Sequence, residues 1–186
     1  MSRQPESQYL TPEDYLAGEL VSETRHEYID GETYAMVGAS DRHNLIAGNL
    51  FASLHPHIRG SQCQLFMSDM KVRLNIAGED AFYYPDLMLC CDPADRETYY
   101  RRRPCLLVEV MSESTERIDR REKLLAYTQI ESLQAYLLLS QDRQLAEIHR
   151  RRAEWRIERQ IAGVLTIDCL GLKLAIEQIY EGVEIS

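Results

Sequence analysis

The sequence predicts an α/β protein in which helices flank a central mixed β-sheet. Residues 105–111 and 135–140 are short apolar runs, typical of strands that are buried on both faces of a sheet. A helix is predicted between them, so the two strands should be parallel neighbours joined by a right-handed crossover. An Asp-Gly pair between two short strand-like runs predicts an antiparallel hairpin elsewhere, which makes the sheet mixed.

The length and charge of the chain restrict its class. A length of 186 residues suits one domain, expected over 1–186 with residues 1–20 as an N-terminal helical extension. The apolar runs are too short to cross a bilayer, and the N-terminus lacks the pattern of a secretory signal, so we expect a cytoplasmic protein without membrane contact. The formal net charge of −9 disfavours a protein that coats nucleic acid by bulk charge.

The first elements have clear start and turn signals. Thr11 is a hydroxyl N-cap and Pro12 suits the first helical position, which predicts a helix to about residue 17. The hairpin is predicted at 26–29 and 32–37 around the Asp-Gly turn.

A long amphipathic helix follows, with Ser40 as its N-cap and its end before Gly60. Its apolar stripe has a spacing of four residues and consists of Ile46, Leu50, Leu54 and Ile58. Strands are then predicted at 63–66, 70–74, 82–91 and 105–111.

The remaining elements are a helix, a strand and a hairpin. Asp119 and Glu122 have the spacing of a capping box, which predicts a helix from there to about Ile130. A strand is predicted at 135–140, and a hairpin with exposed arginines at 145–149 and 154–160.

The five cysteines show neither a CxxC pair nor the spacing of a zinc finger. Three of them lie in apolar, strand-like runs. We therefore interpret them as buried, reduced thiols of a cytosolic protein.

Two carboxylates are candidates for chemistry. Asp86 follows Pro85, which belongs at the start of a strand, so Asp86 is expected to be the first strand residue at a sheet edge. Glu109 interrupts an apolar run, where an ionised carboxylate costs several kcal/mol unless it is compensated. A buried ion pair with an arginine would compensate it, and so would a Mg²⁺ ion shared with Asp86, which we favour.

A hydrolytic site of this kind also needs a lysine near the attacking water. Met111 occupies the position two residues after Glu109, so Lys123 on the next helix is the candidate. It begins an apolar stripe that faces the sheet; a surface pair with Asp119, four residues earlier, is an equal alternative.

Five segments together resemble one family. They are YIDGE at 28–32, HNLIAGNLFASL at 43–54, YPDLMLC at 84–90, LLVEVMSEST at 106–115 and DRREKLLAYTQIESLQAYLLL at 119–139. This ordered set resembles the Uma2 family, endonuclease-like proteins of the PD-(D/E)xK nuclease superfamily, and the resemblance covers nearly the whole chain. It implies a restriction-endonuclease-like core and a divalent metal, Mg²⁺ or Mn²⁺.

The resemblance also implies roles for individual residues. Asp86 and Glu109 correspond to the metal ligands, with the Val110 carbonyl as a backbone ligand. Lys123 takes the role of the motif lysine. Glu27 matches an acidic position that completes the metal site; an exposed strand acid is an equal alternative.

The remaining site residues are expected to contact substrate. His43 would bind phosphate or substrate, or else cap the long helix. Ser112 would orient a ligand, or else stabilise a turn. Contacts with flanking DNA phosphates are expected from three arginines, namely Arg117, Arg120 and Arg121.

The leading function is a metal-dependent DNA endonuclease. The alternative is a non-catalytic relative that keeps the fold and binds DNA or protein, which Met111 at the lysine position favours. A homodimer is expected by analogy, because a double-strand cut needs two sites.

Overall fold

The computed structural model describes residues 9–185, so the first eight residues of the expected N-terminal extension lie outside the described residues. The strands of this part form three sheets. The five-stranded sheet has the order β2-β1-β5-β4-β7, the six-stranded sheet the order β11-β10-β9-β8-β6-β3, and β12 pairs with β13. The mixed fold with flanking helices is confirmed, but the strands are divided among separate sheets instead of forming a single one.

The strands are β1 (His26–Ile29), β2 (Glu32–Ala35), β3 (Gln64–Met67), β4 (Lys71–Ile76), β5 (Glu79–Tyr83), β6 (Leu87–Cys90), β7 (Tyr100–Arg101), β8 (Leu106–Met111), β9 (Ala135–Ser140), β10 (Ala146–Arg150), β11 (Ile157–Gln160), β12 (Val164–Ile167) and β13 (Leu172–Ala175). The helices are α1 (Pro12–Glu19), α2 (Asp41–Ile58), α3 (Glu116–Ile118), α4 (Leu124–Tyr127) and α5 (Ile176–Ile179). A π-helical turn (Asp119–Lys123) joins α3 to α4.

The predicted caps and turn of the N-terminal half are present. The Thr11 side chain accepts a hydrogen bond from the Asp14 amide, and the Ser40 side chain accepts one from the His43 amide. Both bonds satisfy amides that have no partner in the first helical turn. The turn between β1 and β2 has positive φ at Asp30 and at Gly31, which an Asp-Gly pair tolerates.

The expected strand over 82–91 is wrong, because the chain leaves one sheet and enters the other within it. Strand β5 ends at Tyr83 in the five-stranded sheet, and β6 begins at Leu87 in the six-stranded sheet. Pro85 lies in the connection, where its missing amide hydrogen and fixed φ are compatible with the break. Asp86 therefore directly precedes the strand that was expected to begin with it.

The crossover between β8 and β9 is parallel, as predicted, but its helical part begins earlier than expected. Helix α3 starts at Glu116, and the Ser112 carbonyl accepts hydrogen bonds from the amides of Thr115 and Glu116. The predicted start at Asp119 is wrong, because this turn of backbone already satisfies the first helical amides. Asp119 instead lies inside the π-helical turn and is buried.

Two apolar cores pack on opposite faces of the six-stranded sheet. One includes the α2 residues Ile46, Leu50 and Leu54, packed against β8 and β9. The other packs both large sheets against α4. It includes Val72, Tyr83, Met88, Leu107, Met111, Tyr127 and Tyr136. Glu109 alternates with Leu107 and Met111 along β8, so its side chain points into this second core.

The expectation of reduced thiols is wrong for four of the five cysteines. Cys63 is bonded to Cys91, and Cys105 to Cys169. The first pair follows from strand register, because Gln64 pairs with Cys90 and the next antiparallel pair is Cys63 with Cys91. Cys90 is a free, buried thiol.

The hairpin of β10 and β11 is present, but one of its arginines is not exposed. The side chain of Arg150 is only 2% exposed and donates to Asp168 Oδ2 at 2.9 Å and to the Thr166 carbonyl. These bonds connect the hairpin to the segment of β12. Among the described helices, none is both long and apolar enough to cross a membrane.

Candidate active site

Asp86 and Glu109 lie opposite each other on one face of the six-stranded sheet. Leu87 pairs with Val108 in the antiparallel ladder of β6 and β8, so continuing the register by one residue opposes Asp86 to Glu109. Directly opposed residues of an antiparallel pair project from the same face. The two carboxylates expected from the sequence are therefore neighbours at the edge of the second core.

The Asp86 carboxylate makes two polar contacts through the same oxygen, a hydrogen bond and an ion-pair contact. Its Oδ2 accepts the Val110 amide at 2.7 Å and lies 3.1 Å from His43 Nε2. His43 therefore contacts Asp86 from the first turn of α2, and Ser40, not His43, caps that helix. These contacts fix the orientation of Asp86 at the mouth of the strand.

The Lys123 ammonium lies among three carboxylates. Its Nζ is 3.0 Å from Glu27 Oε1, 3.1 Å from Glu109 Oε1 and 3.6 Å from Asp119 Oδ1. The Lys123 side chain is 8% exposed and that of Asp119 2%, so the alternative of a surface pair is wrong. The compensating cation of Glu109 is thus a lysine, and not the arginine considered from the sequence.

Glu27 reaches this cluster from the five-stranded sheet. Its Oε1 also accepts the Tyr84 amide at 3.2 Å, and its side chain is 15% exposed. The alternative of an exposed strand acid is therefore wrong. Glu27 and Glu109 belong to different sheets and share one ammonium.

Aromatic side chains line the cluster. The Tyr127 hydroxyl donates to Glu109 Oε1 at 2.9 Å, and the Tyr136 hydroxyl donates to the Asp119 carbonyl at 3.1 Å. Lys123 Nζ lies 5.7 Å from the centre of the Tyr83 ring. These rings exclude water from the carboxylates, which strengthens electrostatic interactions among them.

Burial changes the protonation of the cluster. The pKa of Glu109 is raised well above its usual value by burial, opposed by the Lys123 charge and reinforced by the carboxylates of Asp119, Asp86 and Glu27. Burial also raises the pKa of Asp119. For Lys123, burial alone would lower the pKa, but the neighbouring carboxylates outweigh it and the pKa is raised. Lys123 is therefore charged at neutral pH.

Comparison with known families gives one match for this chain. Residues 12–177 match the model of the Uma2 family, which is described as "Putative restriction endonuclease". The chain belongs to the Uma2 family. Residues 12–177 contain all five segments that resembled it.

Relatives and a solved structure extend the comparison. The chain is 36% identical over 178 residues to "Uncharacterized protein slr1290" of Synechocystis sp., covering 94% of this chain and 93% of that protein. It is 36% identical over 135 residues to "Uncharacterized protein sll1609" of the same organism, covering 71% and 75% of the two chains. A crystal structure described as "a putative nuclease belonging to DUF820 from Anabaena variabilis" has a TM-score of 0.70 at 14% identity, covering 88% of this chain and 93% of that one. This likeness shows a shared fold.

Sequence reasoning missed two members of the cluster in this Uma2 chain. Asp119 was interpreted as a helix cap or as a surface partner of Lys123, and Tyr127 belongs to the apolar stripe that was predicted to begin at Lys123. Asp119, Lys123 and Tyr127 are spaced by four residues, so they share one helix face. That spacing of an acid, a lysine and a tyrosine was the signal for the missed residues.

Ser112 and the three arginines do not join the cluster. The Ser112 hydroxyl bonds with Ser114 and Thr115 at the start of α3, which fits its alternative role in a turn. Arg117 pairs with Glu122 at the surface. Arg121 is exposed, and Arg120 pairs with Glu116 and Glu147.

Proposed function

We propose that this Uma2 protein hydrolyses phosphodiester bonds in DNA with a divalent metal ion. The observation that carries the proposal is the opposition of Asp86, directly before β6, to Glu109 on β8, with the Lys123 ammonium paired with Glu109. Paired carboxylates and a lysine are the residue types that metal-assisted hydrolysis of a phosphodiester requires. The shared family description and the fold likeness support the same reaction class.

The carboxylate oxygens of the cluster are the kind of ligand that a hard divalent metal ion prefers. Three carboxyl groups surround the Lys123 ammonium, Asp86 lies opposite Glu109, and Asp86, Asp119 and Glu27 all raise the pKa of Glu109. This shortage of positive charge suits a second cation with oxygen ligands, such as Mg²⁺ or Mn²⁺. Among the described residues, no group of three or more His, Cys, Asp or Glu side chains has the spacing of a metal cage. The proposed site would instead use two carboxylates, a backbone carbonyl and water.

Asp86, Glu109 and the Val110 carbonyl would hold the ion. The Val110 amide donates to Asp86, and in an extended strand the carbonyl of a residue points to the same side as its amide. The Val110 carbonyl therefore faces Asp86. The bound ion would neutralise charge on the phosphate and lower the pKa of the attacking water.

Lys123 would stabilise the charge that develops on the phosphate. The usual lysine position holds Met111, which is 3% exposed and packed in the second core. The π-helical turn places the Lys123 ammonium beside Glu109 from the following helix. The fixed, buried ammonium requires little reorganisation during the reaction. His43 would hold Asp86 in its binding orientation.

A binding-only relative is the second candidate, and one observation favours it. Lys123 bridges Glu27, Glu109 and Asp119, so a purely structural ion-pair network accounts for the same contacts. Metal binding separates the two candidates. Mg²⁺ or Mn²⁺ should raise the melting temperature of the wild type but not that of Asp86→Asn.

The decisive experiment is plasmid nicking with Mg²⁺ or Mn²⁺. We expect nicking by the wild type, no nicking in EDTA and none by Asp86→Asn. Asp14→Asn is the matched control, because Asp14 is exposed on α1. Nicking by Asp86→Asn at the wild-type rate would exclude Asp86 as a ligand, and a wild type that never nicks would favour the binding-only candidate.

A further inference from the structure

A second polar site lies beside the carboxylate cluster, on the outer edge of the six-stranded sheet. It is a surface cleft of about 330 Å³. Its walls come from the π-helical turn, the loop after β9, the strand β10 and the end of β11. The lining residues are Arg120, Arg143, Leu145, Glu147, Arg159 and Ile161.

A buried carboxylate orients two of the three arginines. Glu147 is 1% exposed, and its two oxygens each accept one Nε–H at 2.8 Å, from Arg120 and from Arg159. Burial alone would raise the pKa of Glu147, but the two guanidinium hydrogen bonds lower it, so the carboxylate is charged. Each guanidinium is thus fixed through its Nε and keeps terminal nitrogens for another acceptor.

The terminal guanidinium nitrogens of the arginines that line the cleft remain largely available to bind another group. The Arg159 side chain is 61% exposed, and its only ion pair among the described residues uses Nε. Arg143 is exposed and makes no ion pair with the described residues. Arg120 also pairs through a terminal nitrogen with Glu116. Three guanidiniums therefore face two carboxylates, and the cleft is positive on a chain with a net charge of −9.

The cleft is connected to the carboxylate cluster through the structure. Arg120 is the residue after Asp119. The loop that carries Arg143 is tied to the start of α2, because the Ser40 hydroxyl donates to Gln141 Oε1 at 2.7 Å. The first turn of α2 also carries His43, which contacts Asp86. The same rim of the sheet thus holds both sites.

We propose that Arg143 and Arg159, with Arg120, bind backbone phosphates of duplex DNA that flank the scissile phosphate. Guanidinium groups with free terminal nitrogens match phosphate oxygens in two-point contacts. The inference rests on the proposed function, since it assigns the neighbouring DNA backbone to that site. Of the three arginines expected from the sequence to contact phosphates, only Arg120 lines this cleft, so contacts by Arg117 and Arg121 stay a separate prediction.

The test is a titration of labelled duplex DNA in EDTA, followed by fluorescence anisotropy at several salt concentrations. The double variant Arg143→Ala/Arg159→Ala should bind roughly tenfold more weakly or worse, and its salt slope should fall by about 1.8, from two lost phosphate contacts. The single variant Arg143→Ala, which breaks no ion pair, should reduce the slope by about 0.9.

Arg152→Ala/Arg156→Ala is the matched control, with the same change in net charge. Both side chains are exposed at the opposite end of β10 and β11, roughly 14 Å along the strands from the cleft. This control should bind DNA with wild-type affinity. Equal losses in both double variants, no loss in the cleft variants, or no DNA binding by the wild type would each overturn the inference.

Cleavage assays separate this inference from the proposed function. If the wild type binds DNA through Arg143 and Arg159 but never cleaves it, the proposed function fails, and the cleft is a DNA-binding site without a scissile phosphate beside it. If the wild type cleaves DNA and the cleft variants bind and cleave equally well, the inference fails and the proposed function holds.

Discussion

Lys123 connects the two large sheets, because its Nζ lies 3.0 Å from Glu27 Oε1 on β1 and 3.1 Å from Glu109 Oε1 on β8. Each of these carboxylates alone would be costly to bury, and the shared ammonium compensates both. The same contact that stabilises the packing of the sheets also fixes the groups proposed for chemistry. Substitutions of these residues should therefore affect both the stability of the fold and the proposed activity, and each effect can be measured separately.

Glu109→Gln should abolish metal-dependent cleavage and leave the fold intact. The amide has the same shape and removes a carboxylate that is costly to ionise, while Lys123 keeps Glu27 and Asp119 as partners. We expect an unchanged or slightly higher melting temperature and no plasmid nicking. Glu154→Gln, at a position 80% exposed, is the control that should keep both properties. Wild-type nicking by Glu109→Gln would show that the residue is not a ligand.

Lys123→Met should destabilise the fold at neutral pH by roughly 3–5 kcal/mol, because it leaves buried carboxylates without their cation. Glu109 and Asp119 have raised pKa values in the folded state. Their protonated forms therefore contribute to the stability of the fold. This contribution is complete at a pH below their usual pKa values of 4.5 and 3.8, and it is lost as the pH rises through their pKa values in the folded state. Without Lys123 both pKa values should rise further. The loss in the free energy of unfolding, relative to the wild type, should therefore be smaller at pH 5 than at pH 8.

Urea unfolding at the two pH values measures this effect. Lys173→Met, which changes an exposed lysine, should match the wild type at both. If Lys123→Met loses the same free energy of unfolding at both pH values, the ammonium does not affect the pKa values of the buried carboxylates.

Lys123→Met should also reduce the rate of the chemical step while sparing metal affinity. An ammonium that stabilises developing charge acts mainly in the transition state. Lys123→Arg should restore little activity, since a planar guanidinium differs in shape from the ammonium. Single-turnover cleavage, with Mn²⁺ affinity measured separately, separates the two effects. Unchanged turnover in Lys123→Met would contradict the role proposed for Lys123.

Much of the fold could be predicted from local signals. The helix caps at Thr11 and Ser40, the Asp-Gly turn and the buried strands β8 and β9 each depend on neighbouring residues along the chain. The opposition of Asp86 to Glu109 fits the expectation that the two carboxylates lie close enough to share a metal ion, and both residues lie in short, recognisable motifs.

The remaining features depend on how distant segments meet. The division of 82–91 between two sheets places Glu27 beside Lys123, and no local pattern reports on the packing of one sheet against another. The disulfides follow from the register of β3 against β6 and from the position of the turn at Cys169. Asp119 lies inside the helix because hydrogen bonds at Ser112 begin the helix earlier.

Reduction of the disulfides should destabilise the protein. The two bridges close segments with sequence separations of 28 and 64 residues, which corresponds to about 3.5–4.5 kcal/mol each in the chain-entropy account. A reductant should therefore lower the melting temperature of the wild type. It should not change that of Cys91→Ser/Cys105→Ser, which lacks both bridges and also removes the two sulfurs that lie 3.9 Å apart. A wild-type melting temperature that ignores the reductant would restore the expectation of free thiols.

Asp119→Asn should lower kcat for DNA cleavage by roughly tenfold with little change in KM, because Asp119 acts on the reaction through Lys123. Its Oδ1 lies 3.6 Å from the ammonium, and the Tyr136 hydroxyl bonds to the backbone carbonyl of Asp119, which the substitution keeps. The fold should therefore be retained, and the loss of one negative neighbour should leave Lys123 less firmly held beside Glu109. Asp14→Asn, at an exposed position of α1, is the control for the change in charge. If Asp119 had a purely structural role, the substitution would lower the melting temperature and leave the kcat of the folded fraction unchanged. A fall in kcat at an unchanged melting temperature would instead show that Asp119 positions Lys123.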